Sequence, residues 1–203
     1  MKIKENAANI VSVVRIFVAY GAIALLYCHT TLAYVSAFLL TAIAFSMDGL
    51  DGYLARKFNQ SSKWGAVLDI LGDRIVEASY WVAFAVMGWI NIIFPMICIA
   101  RAFTTDGIRS VALSKGFTAF GETSMQTSKI GKFICASRFM RISYAVAKVA
   151  AFMLLILAHT PGIEIWDGYI LLNTLAITFA WVAIIFCVVR AIPVVAESGK
   201  LFD

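Results

Sequence analysis

The sequence predicts an all-α, polytopic integral membrane protein with six transmembrane helices, and three observations carry that prediction. Of 203 residues, 62% are hydrophobic and only 14% are Asp, Glu, Lys or Arg, against roughly a quarter charged in soluble domains. Mean hydropathy is +0.87. The apolar residues come in six runs, each close to the ~20 residues a helix needs to cross a hydrocarbon core. This composition excludes a disordered chain, a nucleic-acid-binding tail and an ordinary soluble enzyme. The length suits one membrane domain over 1–203, with no space for a second.

The runs fall at 8–28, 31–56, 66–88, 89–112, 131–158 and 168–190. Periodicity cannot separate helix from strand in continuous apolar sequence, but length can, and these runs are helical. No small-residue cleavage site follows the basic opening, so the first run reads as a retained span rather than a signal peptide. The second and fourth runs have polar ends and extend past the hydrocarbon. Pro95 is expected to kink the fourth. Cys28, Cys98, Cys135 and Cys187 show no metal-ligand spacing and read as buried small hydrophobes. His29 and His159 read as loop or interface residues.

The formal charge is +5, and its placement gives an orientation. With the N-terminus in the cytoplasm, that side holds Lys2, Lys4, Arg15, Arg56, Lys57, Lys63, Arg109, Lys115, Lys129, Lys132, Arg138, Arg141, Arg190 and Lys200, which is 14 of the 17 basic residues. The three turns on the other side, near 28–31, 88–90 and 159–168, hold none. Such asymmetry places Lys- and Arg-rich loops inside. Both termini are then cytoplasmic, and Trp89, Trp166 and Tyr169 form an interfacial aromatic belt outside.

Acidic residues within the runs need a different explanation, because a carboxylate at bilayer depth is costly and usually functional. Asp48, Asp51, Gly52 and Ala55 fall at i, i+3, i+4 and i+7, one stripe of a helix. Gly65, Asp69, Gly72 and Asp73 fall at i, i+4, i+7 and i+8, a second stripe. The polar connection 57–64 turns the chain at the cytoplasmic face, so the stripes can face each other. Carboxylates so placed repel one another, and a divalent cation resolves the repulsion. Oxygen-only ligands with no nearby His or Cys favour Mg²⁺, Mn²⁺ or Ca²⁺ over zinc. The small residues on both stripes leave space for a ligand to approach, although Gly and Ala in membrane helices also serve close packing. With Arg56 alongside, the arrangement suits a diphosphate.

The full spacing D-x-x-D-G-x-x-A-R-x8-G-x-x-x-D-x-x-x-D resembles the signature of the CDP-alcohol phosphotransferase (CDP-alcohol phosphatidyltransferase) family, with every fixed position present between Asp48 and Asp73. The resemblance implies a six-helix, dimeric membrane enzyme with its active site open to the cytoplasmic leaflet (the inner or plasma membrane in a bacterium). It implies transfer of a substituted phosphate from a CDP-linked donor, usually CDP-diacylglycerol, to an alcohol, releasing CMP. Under it, Asp48, Asp51 and Asp69 hold Mg²⁺ or Mn²⁺, and Asp73 completes the metal site or acts as general base. Gly52, Ala55 and Gly65 line the CDP pocket, and Arg56 contacts the donor. The run from Asn9 through Ser12 to Arg15 resembles the family's opening segment.

The acceptor is read from the most basic stretch, Arg101 to Arg141, which suits an anionic, phosphorylated alcohol. Headgroup attraction is the competing explanation. Arg101, Phe103, Thr105, Gly107 and Arg109, followed by Gly131 and Lys132, resemble the corresponding region of phosphatidylglycerolphosphate synthases. Two positions depart from that pattern: Ala102 stands where an acidic residue is usual, and Phe133 to Cys135 follow Lys132 in place of a second Lys and a Thr. Residues 120–128 look like added sequence. Arg101, Arg109, Lys132 and Arg138 are the expected contacts to the acceptor phosphate. Glycerol 3-phosphate is the first choice of acceptor, then inositol phosphate, then a neutral alcohol. A non-enzymatic cation or proton carrier using the same aspartates is the alternative of a different class, but its path needs polar residues across the whole bilayer, and the acidic sites here cluster at one face.

Cysteines introduced singly at residues 57–64 are expected to react with a membrane-impermeant thiol reagent only from the cytoplasmic side. Labelling of intact cells from outside would overturn the orientation and the placement of the site.

Overall fold

The computed structural model describes residues 7–57, 63–117 and 128–201, the side chains of 7, 8, 48–57, 63, 64, 66, 129, 136, 200 and 201 being outside that description. Seven α-helices account for most of it: α1 (Ala7–Leu26), α2 (Thr31–Lys57), α3 (Lys63–Val86), α4 (Ile93–Ser114), α5 (Lys129–Ala136), α6 (Arg138–Ala158) and α7 (Tyr169–Ala196). Single 3-10 turns stand at Ile163–Ile165 and Ser198–Leu201. No strand occurs among the described residues. The all-α expectation therefore holds.

Among the described residues three helices have an apolar stretch long enough to cross a bilayer: Asn9–Leu26 in α1, Arg138–Ala158, and Tyr169–Ala196. In α2 the apolar part is Thr31–Met47. α3 and α4 are long enough but carry charge, Asp69, Asp73, Arg74 and Glu77 on one and Arg101, Asp106 and Arg109 on the other. Large apolar side chains such as Phe17, Leu32, Phe103 and Ile170 point outward and are more than two-thirds exposed. An apolar outside is what a lipid-facing helix requires, and on a water-exposed protein patches of this extent are rare.

Two boundaries differ from the sequence reading. The fifth run is not one helix. It breaks at Ser137, whose backbone is extended (φ −64°, ψ 140°) and whose hydroxyl accepts the Met140 amide, capping α6. Ser128 caps α5 in the same way, accepting the Gly131 amide at 2.9 Å. A serine at the N-cap satisfies an amide that the helix leaves unpaired, and two such caps nine residues apart make two helices. Pro95 does not kink α4. It lies in the first turn, where the missing amide costs no helical hydrogen bond.

Packing follows the small residues. Ala19 and Ala22 of α1, Ala37 and Ala44 of α2, Ala147 and Ala151 of α6, and Ala176, Ala180 and Ala183 of α7 are all buried. In α1, α6 and α7 they recur at three- or four-residue spacing and in α2 after seven residues, about two turns on the same face, and they let α1 lie close against α2 and α6 close against α7. Phe152 on α6 is fully buried at the centre of an aromatic cluster. Its ring lies 5.1 Å from Tyr80, 4.8 Å from Trp81, 5.6 Å from Phe84 and 5.7 Å from Phe45, centroid to centroid. The Thr41 hydroxyl donates to the Ala37 carbonyl at 2.7 Å and so accepts from the Tyr80 hydroxyl, also at 2.7 Å.

Beyond this cluster, Trp89 stacks between Phe84 and His159 at 5.1 and 4.4 Å. It is a packing residue more than a member of a rim belt, whereas Trp166 is 57% exposed. Cys98, Cys135 and Cys187 are buried as expected, but Cys28 is exposed at the turn after α1.

Phe152→Ala is expected to cost about 3 kcal/mol, because the rings around it cannot close the cavity. Tyr80→Phe removes one interhelical hydrogen bond and is expected to cost about 0.6 kcal/mol. Thermal unfolding in detergent checks the order; equal losses would show that the cluster is not a packing centre.

Candidate functional site

The polar residues of the bundle collect on the side of the aromatic cluster away from Trp89. α3 contributes its stripe there. Asp69 is exposed, Gly65 and Asp73 are half-buried, and Gly72 is buried. The second stripe, Asp48, Asp51, Gly52, Ala55 and Arg56, lies in the last turns of α2. The side chains of those five lie outside the described residues.

Arg15 of α1 completes the α3 stripe and was not among the expected site residues. Its side chain is 2% exposed, and its Nη2 lies 3.0 Å from Asp73 Oδ1, while the Asp73 side chain keeps 45% of its surface open. Gly72 makes this approach possible. A Cβ built there would stand 3.0 Å from the same Nη2. The space beside Gly72 is therefore filled by a guanidinium and is not an opening for a ligand. Arg15 shares its face of α1 with buried Ser12, Ala19 and Ala22. The signal for it in the sequence was the run ending at Arg15, together with the glycine preceding Asp73.

A second group of charges faces this stripe from α4 and α7. Arg101 is buried, and Arg109 and Arg190 are half-buried. The three guanidinium groups lie close enough for their charges to repel. The Nε atoms of Arg101 and Arg190 are buried without a hydrogen-bond partner among the described residues. Buried donors are almost always satisfied, so cations crowded together with unused donors point to an anion. Lys132 on α5 and Arg138 at the start of α6 are exposed. Nothing local to Arg190, a basic residue near the end of the last apolar run, distinguishes it in the sequence from an orientation signal.

The two groups are tied together by ion pairs. Arg74 donates from Nε and Nη2 to Asp106 Oδ2 and Oδ1 at 3.0 and 3.3 Å, a forked contact from α3 to α4. Asp106 also holds Arg109, with Nη1 3.7 Å from Oδ1. Glu77, one turn beyond Asp73, is 2% exposed. It accepts from the Tyr144 hydroxyl of α6, and from Lys148 Nζ at 3.2 Å. Among the described residues no three His, Cys, Asp or Glu side chains form a metal-binding group. The oxygen donors of Asp69 and Asp73, one turn apart on one helix face, are of the chemical type a hard cation takes.

The sequence of this chain matches the family of CDP-alcohol phosphatidyltransferases over residues 5–189. The chain belongs to that family. It is accordingly a phosphatidyltransferase enzyme. A CDP-diacylglycerol–glycerol-3-phosphate 3-phosphatidyltransferase of Rickettsia prowazekii is 28% identical over 132 residues, 65% of this chain and 70% of that protein. One of the same name from Cereibacter sphaeroides is 43% identical over 67 residues, 32% of this chain and 30% of that protein. A CDP-diacylglycerol–inositol 3-phosphatidyltransferase of Candida albicans is 32% identical over 97 residues, 47% of this chain and 42% of that protein.

Gly72→Val should push the Arg15 guanidinium away from Asp73. It is expected to lower turnover by about tenfold, the rate equivalent of one charge-assisted contact, and Arg15→Met should match it. Helix content by circular dichroism should stay at the wild-type level in both. Full activity in Gly72→Val would show that the Arg15–Asp73 contact has no part in the reaction.

Proposed function

We propose that this enzyme transfers the phosphatidyl group of CDP-diacylglycerol to glycerol 3-phosphate, releasing CMP. The observation that carries the acceptor is the trio Arg101, Arg109 and Arg190, in which two buried Nε atoms have no partner among the described residues. A phosphate dianion supplies negative charge to the trio and acceptor oxygens to the free Nε atoms of Arg101 and Arg190. Relatives named for glycerol 3-phosphate support the same choice. Inositol phosphate is the second reading, since a relative is named for inositol and a phosphate would bind the same three arginines.

Asp48, Asp51, Asp69 and Asp73 are the groups that would hold Mg²⁺ or Mn²⁺. Such a cation, when bound, neutralises the donor diphosphate and the departing CMP. The chain's own residues do the rest. Gly52, Ala55 and Gly65 admit the cytidine nucleotide, and Arg56 pairs with its phosphates. The arginine trio anchors the acceptor by its phosphate and so limits the approach of its free hydroxyl. Asp73, oriented by Arg15, takes the hydroxyl proton. The hydroxyl oxygen forms a bond to the phosphorus that carries diacylglycerol, and the bond from that phosphorus to the CMP oxygen breaks with its electron pair. Lys132 and Arg138, both exposed, attract the acceptor or lipid headgroups from outside the pocket.

α1, α2, α3, α4, α6 and α7 are the six spans of this reading. Arg74 and Glu77 are paired within the bundle, which makes their depth tolerable. The orientation from the basic loops puts the site at the cytoplasmic leaflet, and the dimer implied by the family resemblance is retained. A cation carrier is disfavoured because the interior past Glu77 is filled by the buried side chains of Tyr80, Trp81, Phe84, Phe152 and Leu155, and no charged side chain is buried among them in the described residues.

The test is turnover of labelled CDP-diacylglycerol by the purified chain with a panel of acceptors. Glycerol 3-phosphate is expected to be used and glycerol refused, with EDTA abolishing CMP release and Mg²⁺ or Mn²⁺ restoring it. Asp69→Asn should cost about two to four orders of magnitude in kcat in a protein that still melts cooperatively. Arg190→Met should raise KM for glycerol 3-phosphate about tenfold and leave KM for CDP-diacylglycerol unchanged. Preference for a neutral alcohol would refute the acceptor, and an active Asp69→Asn would refute the metal assignment.

A further inference from the structure

We propose that Glu77 is the positioning residue of the anion pocket, fixing the guanidinium groups of Arg109 and Arg190 through two separate arms; the inference rests on the acceptor reading above. Glu77 touches neither arginine. It acts through Arg74 and Asp106 on one side and through Tyr144 on the other.

The first arm runs from α3 to α4. Arg74 stands with Nη1 3.9 Å from Glu77 Oε2 and forks onto both oxygens of Asp106 at 3.0 and 3.3 Å. A guanidinium presents its donors in a rigid plane, so a carboxylate at one edge helps set the plane that meets Asp106. Asp106 in turn holds Arg109. The second arm runs through α6 to α7. The Tyr144 hydroxyl donates to Glu77 Oε1. With its hydroxyl pinned, the ring has a fixed place, and the Arg190 guanidinium lies over it, 5.4 Å from the centroid.

The chemistry of the side chain matters as well as its position. Oε1 also receives the Cys98 thiol at 3.4 Å, and Oε2 receives Lys148 at 3.2 Å. Only an ionised carboxylate accepts at this many sites and donates at none. A glutamine would turn an N–H toward either the tyrosine hydroxyl or a cation. Lys148 supplies compensating charge without contacting the arginine trio. Arg101, Arg109 and Arg190 repel one another, so the pocket has to be assembled before the anion arrives. A network that holds Arg109 and Arg190 in advance reduces the ordering that binding would otherwise require.

The experiment uses the full chain in detergent, titrated calorimetrically with inorganic phosphate and with glycerol 3-phosphate, and assayed for CMP release. E77Q is expected to weaken phosphate binding about tenfold and to raise KM for glycerol 3-phosphate by the same factor. KM for CDP-diacylglycerol should change less than about twofold, since the donor side does not depend on these arms. E77Q strands Lys148, so E77Q/K148M is made alongside it to remove both charges. The double variant should recover the wild-type melting temperature and keep the weakened phosphate binding. Recovery of wild-type phosphate affinity together with stability would assign Glu77 a structural role only and overturn the proposal. Y144F and D106N, each cutting one arm, should give smaller losses of phosphate affinity; unchanged affinity in both overturns it too. Wild-type protein that binds phosphate but releases no CMP would refute the transferase reading, and the phosphate comparison would still decide the role of Glu77. Wild-type protein that binds no phosphate would overturn both.

Discussion

An isolated carboxylate inside an apolar helix bundle costs several kcal/mol, and Glu77 escapes that cost only because three helices bring donors to it. Tyr144 and Lys148 come from α6, Cys98 from α4, and Arg74 from its own helix. The same constraint applies to Arg15, buried at 2% exposure and matched to Asp73. Each deep charge therefore dictates the rotation of the helix that carries it. Apolar packing alone leaves a membrane helix free to turn about its axis, because its lipid-facing and protein-facing surfaces are similar in polarity. Paired charges remove that freedom.

The result is a bundle with two unlike ends. At one, Phe84, Trp89, Phe152 and His159 stack into a closed aromatic layer. At the other, carboxylates of α3 face arginines of α4 and α7, with Arg74 and Asp106 between them. Under the proposed function two anionic substrates are held side by side, the donor diphosphate through metal on the carboxylates and the acceptor phosphate by the arginines.

The sequence showed the part of this that lies within single helices. The all-α class followed from run length, and the α3 stripe from the spacing of Gly65, Asp69, Gly72 and Asp73, which one helix face must bring together. The signature that led to the family reads the same way. What it did not show depends on contacts between residues far apart in the chain. Arg15 meets Asp73 across 58 positions (73 − 15), and nothing local to either distinguishes that pair. Arg190 looked like any basic residue at a helix end. Glu77 was visible in the sequence and had no assigned partner, because Tyr144 and Lys148 reach it only once α6 is packed. For Gly72 the sequence allowed either space for a ligand or close packing, and the structure shows packing, against Arg15. The break at Ser137 was hidden by apolar sequence on both sides, where a single N-cap hydroxyl outweighs an unbroken hydropathy plot.

That break at Ser137 has a consequence for how the protein can vary. In a continuous helix, inserting one residue rotates everything beyond it by about 100°, the angle of one residue in a 3.6-residue turn. A helix from 129 to 158 would carry any change near its start through to Tyr144 and Lys148, and turn both away from Glu77. With an extended residue between α5 and α6, the angular phase is reset at Ser137. The length and composition of the segment before it can drift while the donors on α6 keep their aim. The serine thus acts as a mechanical joint that separates the part of the chain free to diversify from the part whose rotation the chemistry has fixed.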